Sequence, residues 1–214
     1  MTLKIDVYSD VICPWCFVGK HRLEKALAAV KDRFEARVTW HPFELNPEMP
    51  KEGLNRKEYR SAKFGSWEKS LALDEQVKKA GESEGIHFRH DLMERTPNTF
   101  DAHKLILLAG REGVQDKVTD AVFNGYFVEG KDVGNRDTLI KIAVNAGMNA
   151  EQVKNFLESE ESTNAVNEAK EKGRELRISG VPNFIINNQV SFSGAQSVET
   201  FIAAFEQAIN SAMA

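Results

Sequence analysis

The sequence predicts an α/β fold with a mixed central sheet and a large all-helical insertion. Strand-like runs occur only near the two ends of the chain, whereas residues 54–157 show helical periodicity alone. The last two strand-like runs flank the turn Asn187-Asn188 and therefore form a hairpin, which makes the sheet mixed rather than purely parallel. With the helical block set aside, a compact α/β unit remains, and its sheet is divided between the two ends of the sequence.

The N-terminal elements are a strand, a helix and a second strand. The apolar run 3–8 predicts the first strand, and residues 14–31 predict a helix because apolar residues recur at spacings of four and three. Residues 37–45 predict the second strand, in which Pro42 favours an edge position or a bend.

The same criteria predict the remaining elements. The block contains a helix that carries Leu73, Val77 and Ala80, and further helices over 98–109, 115–128, 137–146 and 151–157. The C-terminal part contains a helix over 163–177 with Ala165, Ala169 and Leu176 on one face, strands over 180–186 and 189–192, and a last helix over 198–212.

The proline-rich loop 46–50 marks a domain boundary. We therefore divide the chain into a discontinuous α/β domain, formed by residues 1–50 and 158–214, and a helical insertion domain formed by residues 51–157.

The composition is that of an ordinary globular protein. Of the 214 residues, 42% are hydrophobic and 28% are charged, with a net charge of −4. This mild acidity argues against a nucleic-acid partner, and no stretch approaches the roughly 20 apolar residues that span a bilayer. The first residues lack the apolar core of a signal peptide. We therefore expect a cytoplasmic protein without a membrane or nucleic-acid partner, in which a cysteine pair is more often catalytic than structural.

The two cysteines of the chain enclose a proline and a tryptophan: Cys13-Pro14-Trp15-Cys16. Pro14 suits the first position of a helix, which makes Cys13 the N-cap residue. The amides of the first turn and the helix dipole then favour a thiolate at Cys13. We therefore assign Cys13 as the nucleophile and Cys16 as the resolving thiol, with Pro14 and Trp15 holding the turn rigid.

Two other interpretations of the cysteine pair are open. Such a pair can be half of a zinc site, but zinc sites usually have four ligands, and the chain has no second pair. His21 would then need distant residues, or a second copy of the chain, to complete the site. A buried pair without function would not explain Pro-Trp at the start of a helix. We expect no bound metal.

Several local runs resemble a known family. They are residues 9–19 (SDVICPWCFVG), 98–103 (NTFDAH), 129–132 (EGKD) and 193–196 (SGAQ). With the order of elements and Val181-Pro182 before the third strand, they resemble DsbA-like thioredoxin-fold proteins of the FrnE-type branch. That branch is related to 2-hydroxychromene-2-carboxylate isomerases and kappa-class glutathione transferases. The resemblance covers essentially the whole chain.

The resemblance implies a thioredoxin fold and a thiol–disulfide oxidoreductase or disulfide isomerase that reacts through a mixed disulfide. No metal or nucleotide cofactor is implied. The implied partners are protein or small-molecule thiols and disulfides, with glutathione as a possible thiol partner. The family also implies that Pro182 is a cis-proline facing Cys13, with the Val181 backbone free to pair with an extended substrate.

Two alternative functions and the oligomeric state stay open at this point. The related isomerases keep a serine in place of the first cysteine and activate glutathione. A glutathione-dependent isomerase or transferase acting on a small aromatic substrate is therefore the first alternative, which Cys13 disfavours. A non-enzymatic, zinc-linked interaction protein is the second.

The chain departs from thioredoxins and DsbA proteins at the buried acid that they carry six residues before the first cysteine. Val7 occupies this position here, and the neighbouring Asp6 should face the other side of the strand. The proton acceptor for Cys16 is therefore open between water, Asp10 and a group of the helical block.

Two further residues have both an ordinary and a functional interpretation. His103 lies on an apolar stripe, so it is either hydrogen-bonded within a helix interface or placed to tune the cysteine or the substrate. Asn46 either lines the cleft at the dithiol or is an ordinary turn residue before a proline.

Overall fold

The structure is a computed structural model that describes residues 2–213. The strands are β1 (Thr2–Ser9), β2 (Glu35–Pro42), β3 (Leu54–Asn55), β4 (Arg95–Thr96), β5 (Asn183–Ile186) and β6 (Val190–Ser193). The α-helices are α1 (Pro14–Val30), α2 (Arg56–Phe64), α3 (Trp67–Glu82), α4 (Phe100–Arg111), α5 (Gln115–Phe127), α6 (Arg136–Asn145), α7 (Ala150–Glu158), α8 (Glu160–Glu175) and α9 (Val198–Met213). A short 3-10 helix spans His90–Leu92.

Four strands form the central sheet in the order β2-β1-β5-β6. Strand β1 pairs in parallel with β2, and β5 pairs antiparallel with both β1 and β6. The sheet is therefore mixed, as the predicted hairpin requires, and its strands come from both ends of the sequence. Pro42 is the last residue of the edge strand β2, a position where a residue without an N–H is tolerated.

One face of the sheet is covered by α1 and α9. Val7 and Phe184 lie opposite each other in the pairing of β1 with β5, so their side chains share this face. Phe201 of α9 meets the Phe184 ring edge-on, with centroids 4.8 Å apart. Helix α1 approaches the same ring at Gly19, where a Cβ would lie 3.2 Å from Phe184. The lack of a side chain at Gly19 therefore lets the helix that carries the dithiol lie close to the sheet.

The opposite face carries Tyr8 and Asp6, as the alternation along β1 predicts. Tyr8 stacks on His41 of β2 with centroids 4.8 Å apart, and Nε2 of His41 lies 2.7 Å from Oδ1 of Asp6. Helix α8 packs on this face, because a Cβ at Gly173 would lie 3.0 Å from the Tyr8 ring. Asp6 is thus on the far side of the sheet from α1.

Aromatic rings join α1 to the helical block. Phe17 of α1 stacks on Phe123 of α5 with centroids 5.1 Å apart and meets Phe88 edge-on at 6.0 Å. Phe127 lies 6.0 Å from Phe17, and all four residues are buried. Each such aromatic pair contributes about 0.5–1.5 kcal/mol beyond the area it buries. The cluster therefore holds the dithiol helix in place against the block.

The prediction of an all-helical block between residues 54 and 157 is wrong in one detail. Strands β3 and β4 pair antiparallel there, and two-residue strands are too short to show a sequence period. Helix α2 was not predicted either, because its largely polar sequence has no apolar stripe.

Two leucines predicted on buried helix faces are exposed, Leu73 to 41% and Leu176 to 56%. Leu176 follows the last residue of α8 and is therefore beyond its buried face. No helix in the described part of the chain is both long enough and apolar enough to cross a bilayer.

Gly130 lies in the turn after α5, and we predict that Gly130→Ala destabilises the fold. Its φ is +68°, and a Cβ there would lie 2.5 Å from Cβ of Leu92 and 2.6 Å from the Leu92 carbonyl oxygen. Gly113→Ala is a matched control, because Gly113 has a φ of +75° with no atom within 4 Å of the added Cβ. The free energy of unfolding in urea should fall by about 1–3 kcal/mol more in Gly130→Ala than in the control. Equal losses would contradict the close packing of this turn.

Candidate active site

The dithiol lies at the N-terminus of α1. Cys13 is the N-cap residue, with φ −87° and ψ 109°, and Pro14 begins the helix. The amide of Cys16 donates to the Cys13 carbonyl oxygen at 3.0 Å, which closes the first turn. The amides of this turn, all within the described residues, make no capping hydrogen bond to the Cys13 side chain. Cys13 therefore has the predicted cap position without the predicted amide–sulfur bonds.

Cys13 lines a cleft of about 370 Å³. The residue is 5% exposed, and its sulfur lies 3.8 Å from the carbonyl oxygen of Val181. The Val181–Pro182 peptide is cis. Pro182 contacts α1 at Gly19, where a Cβ would lie 3.3 Å from Cγ of Pro182. The fold thus brings Cys13, Val181 and Pro182 together from opposite ends of the sequence.

Cys16 is buried more deeply, is 1% exposed and does not line the cleft. Burial raises the pKa of its thiol well above the ordinary value, and the neighbouring Cys13 raises that pKa further. The Ser9 side chain and the Asp10 backbone act on the Cys16 pKa in the opposite direction. In the reduced protein Cys16 is therefore a protonated thiol near neutral pH, and a reactant in the cleft meets Cys13.

Asp10 and His103 lie close together beside the dithiol loop. Asp10 is fully buried, and its carboxylate accepts from the Leu45 amide at 2.7 Å. Nε2 of His103 lies 3.6 Å from the Asp10 carboxylate and 3.0 Å from the carbonyl oxygen of Phe43. Because a carbonyl oxygen only accepts, Nε2 of His103 carries a hydrogen. His103 is thus part of a helix interface and, at the same time, the group of the helical block that faces Asp10.

Asn46 lines the cleft and is held by two residues of α2. Its side-chain oxygen accepts hydrogen bonds from the Tyr59 hydroxyl and, at 2.8 Å, from Nζ of Lys63. Trp15, which is 40% exposed, lines the same cleft. Asn46 therefore does more than shape a turn, because it fixes Tyr59 and Lys63 at the wall of the cleft.

A buried ion-pair network forms another part of the wall. Asp74 accepts from Arg60 at 2.7 Å and from Arg56 at 2.6 Å, and Arg60 also donates to Ser70 Oγ at 2.6 Å. The charged residues that line the cleft are Arg60, Lys63 and Asp74, so its wall carries a net positive charge. Such a wall favours anionic reactants.

Tyr59, Arg60 and Lys63 carry no sequence motif that marks them as site residues. They lie on α2, far from the dithiol in the chain, and only the folded block brings them to the cleft. The one available signal was the spacing of Tyr59 and Lys63, because residues four apart share a helix face.

The described residues provide no group of three or more His, Cys, Asp or Glu side chains that could hold a metal ion. His21, the histidine closest to the dithiol in sequence, packs edge-on against Phe17 with centroids 5.0 Å apart.

Comparison with known proteins identifies the family. The family model described as "DSBA-like thioredoxin domain" matches residues 4–206. The protein YwbO of Bacillus subtilis (strain 168) is 31% identical over 202 residues, which represent 94% of this chain and 94% of YwbO.

Solved structures extend this result. The probable DsbA oxidoreductase SCO1869 from Streptomyces coelicolor is 33% identical, with a TM-score of 0.89 over 97% of this chain and 90% of that protein. The cytosolic disulfide reductase DsbM from Pseudomonas aeruginosa, solved with GSH, has the same fold at 16% identity, with a TM-score of 0.67 over 97% of this chain and 99% of DsbM. The resemblance to DsbA-like thioredoxin-fold proteins is confirmed, and the chain belongs to the family of DsbA-like thioredoxin domains.

Proposed function

We propose that this protein is a thiol–disulfide oxidoreductase in which Cys13 exchanges with the substrate and Cys16 resolves the intermediate. The observation that carries the proposal is the unequal placement of the two thiols. Cys13 lines the cleft at the start of α1, whereas Cys16 is buried one turn into the helix with a raised pKa. This placement gives the attacking and resolving roles to different sulfurs.

The exchange follows from this arrangement. In the reducing direction, the Cys13 thiolate attacks a substrate disulfide, forms a bond to one substrate sulfur and releases the other as a thiolate. Cys16 then loses its proton and attacks the Cys13 sulfur, which releases the second substrate thiol and leaves the Cys13–Cys16 disulfide. The substrate is reduced and the protein is oxidised, and the reverse sequence oxidises a dithiol substrate. Protein disulfide isomerase activity uses the same first step.

We further propose glutathione as a thiol partner. The cleft beside Cys13 has a net positive charge, and Lys63, which donates to Asn46 and Tyr59, has a third N–H available, which suits a small anionic thiol. The DsbM structure with GSH supports this choice by analogy of fold. Protein thiols and disulfides are the other proposed reactants, with the Val181 backbone beside Cys13 available to an extended segment.

We assign Asp10 and His103 a supporting role in proton movement at the dithiol. Asp10 is buried next to the cysteine loop, and its carbonyl oxygen accepts from the Cys13 amide at 2.9 Å. His103 is the titratable group of α4 that faces the Asp10 carboxylate. A change in the charge of the dithiol would therefore reach His103 through a single buried side chain.

The proposed compartment is the cytoplasm, with no membrane or nucleic-acid partner. A reducing compartment would keep the dithiol ready to attack disulfides. DsbM, which shares the fold, is a cytosolic disulfide reductase, and this supports the proposal.

We predict that the two thiols differ in reactivity. Cys13 should alkylate faster than Cys16 near neutral pH, because burial raises the pKa of Cys16 and keeps it out of the cleft. Cys13→Ser should abolish exchange, and Cys16→Ser should retain single-step attack and accumulate mixed disulfides. Partial alkylation followed by peptide mass spectrometry measures the two rates. Equal rates, or full activity in Cys13→Ser, would reverse the assignment.

We predict that Lys63→Met weakens binding of S-methylglutathione, a glutathione analogue without a reactive thiol, to the oxidised protein about two- to five-fold, as expected for loss of one exposed ionic contact. Lys57→Met is the control, because Lys57 is an exposed lysine of the same helix outside the cleft. Dissociation constants from NMR titration would compare the variants. Equal dissociation constants for wild type and Lys63→Met would show that this wall of the cleft does not take part in binding.

We predict that the ring-proton chemical shifts of His103 differ between the reduced and oxidised proteins at a fixed pH, because His103 faces Asp10 beside the dithiol. His87, which is exposed, is the internal control and should show the same chemical shifts in both states. Two-dimensional NMR of the ring protons measures both residues at once. Identical His103 chemical shifts in the two states would leave this residue a role in helix packing alone.

A further inference from the structure

Ser9 carries a buried hydroxyl that makes no hydrogen bond. The residue is 5% exposed, and its Oγ has no partner among the described residues. Leaving a buried hydroxyl unpaired is unfavourable, and native structures rarely do so without a functional reason. The exchange mechanism proposed above does not use Ser9 and therefore does not account for this unpaired hydroxyl.

The position of Ser9 points to the resolving thiol. Ser9 is two residues after Val7 along β1, so both side chains project to the same face of the sheet. That face is the one covered by α1, as the contact between Gly19 and Phe184 establishes. Ser9 is therefore on the α1 side of β1, at the end of the strand that leads into the cysteine loop.

We propose that the Ser9 hydroxyl is a hydrogen-bond donor held in reserve for the Cys16 thiolate, with the backbone amide of Asp10 as a second donor. A serine hydroxyl can rotate, so it can turn toward the sulfur when the sulfur becomes charged. In the neutral state the donor is unpaired, and in the charged state it is paired. The interaction therefore stabilises the Cys16 thiolate more than the neutral Cys16. A group assists a reaction step only when it stabilises the developing charge more than the starting state.

This inference rests on the proposed function, in which Cys16 leaves as a thiolate. A substrate thiolate attacks the Cys13 sulfur of the oxidised protein and forms a new S–S bond to it. The Cys13–Cys16 bond breaks, and its electron pair goes to Cys16. The substrate thiol is oxidised to the mixed-disulfide state and Cys16 is reduced, and the Ser9 hydroxyl and the Asp10 amide donate to the new anion until Cys16 is protonated.

Stabilisation of the Cys16 thiolate depends on neutral hydrogen-bond donors. Ser9 and the Asp10 amide lower the pKa of Cys16, whereas burial and Cys13 raise it. The other titratable groups nearby have partners of their own. The Asp10 carboxylate accepts from Leu45, His103 donates to Phe43, and the Tyr126 hydroxyl, which also lines the cleft, donates to the Arg95 carbonyl oxygen at 3.2 Å.

The test measures the pKa of Cys16 in Cys13→Ser protein, where Cys16 is the only thiol, by ultraviolet thiolate absorbance over a pH series. Adding Ser9→Ala should raise this pKa by about one, the effect of losing one hydrogen bond to a charged group. Ser9→Gly should give the same increase, and Ser9→Thr, which keeps the hydroxyl, should largely restore the original value. Ser191→Ala, an exposed serine of β6, is the control and should change nothing.

A kinetic measurement in protein with both cysteines separates this inference from the proposed function. Glutathione should attack oxidised Ser9→Ala about three-fold more slowly than wild type, because a higher pKa makes Cys16 a poorer leaving group. The thermal midpoint should not fall, since the substitution removes an unpaired buried hydroxyl. An unchanged Cys16 pKa in both Ser9→Ala and Ser9→Gly would overturn the role of Ser9 and leave the exchange mechanism intact. Absence of exchange in wild type would instead refute the proposed function.

Discussion

The close approach of α1 to the Val181-Pro182 loop determines the geometry of the dithiol. Gly19 makes this approach possible, because any side chain there would press on Pro182 and Phe184. The same helix is held from the other side by the contact of Phe17 with Phe123 and the rings around it. The cysteine pair is therefore held between the sheet and the helical block, and its two sulfurs have different surroundings because Cys13 caps the helix beside the cleft whereas Cys16 lies one turn in.

Much of this arrangement could be predicted from the sequence, for identifiable reasons. The hairpin at Asn187-Asn188 indicated a mixed sheet, and Pro14 after Cys13 indicated the cap position. Both signals are local, since they depend on turn and cap residues whose conformational preferences hold in any fold. The face of the sheet on which Asp6 lies could also be predicted, because successive side chains of a strand always alternate between the two faces.

The rest depends on contacts between distant parts of the chain. The cleft wall formed by Tyr59, Arg60 and Lys63 comes from a polar helix that no apolar pattern marks, and Asn46 gains its role only when α2 packs beside it. The sequence also suggested amide bonds to the Cys13 sulfur, but the sulfur lies beside the Val181 carbonyl instead. A rule about helix ends cannot anticipate a partner for the sulfur that comes from the far end of the chain.

The replacement of a buried acid by Val7 changes how the site must handle charge. A carboxylate at that position would accept the proton of the resolving thiol but would also repel the thiolate once it formed. Val7 is apolar and Ser9 is a neutral donor, so neither repels the thiolate. Another group must then accept the proton of the Cys16 thiol. Asp10 and His103 lie beside the cysteine loop, and their carboxylate and ring hydrogen are directed to the Leu45 amide and the Phe43 carbonyl oxygen. In the proposed mechanism, two tasks that one acid would combine are therefore separate, so anion stabilisation at Ser9 and proton movement at Asp10 can be altered independently.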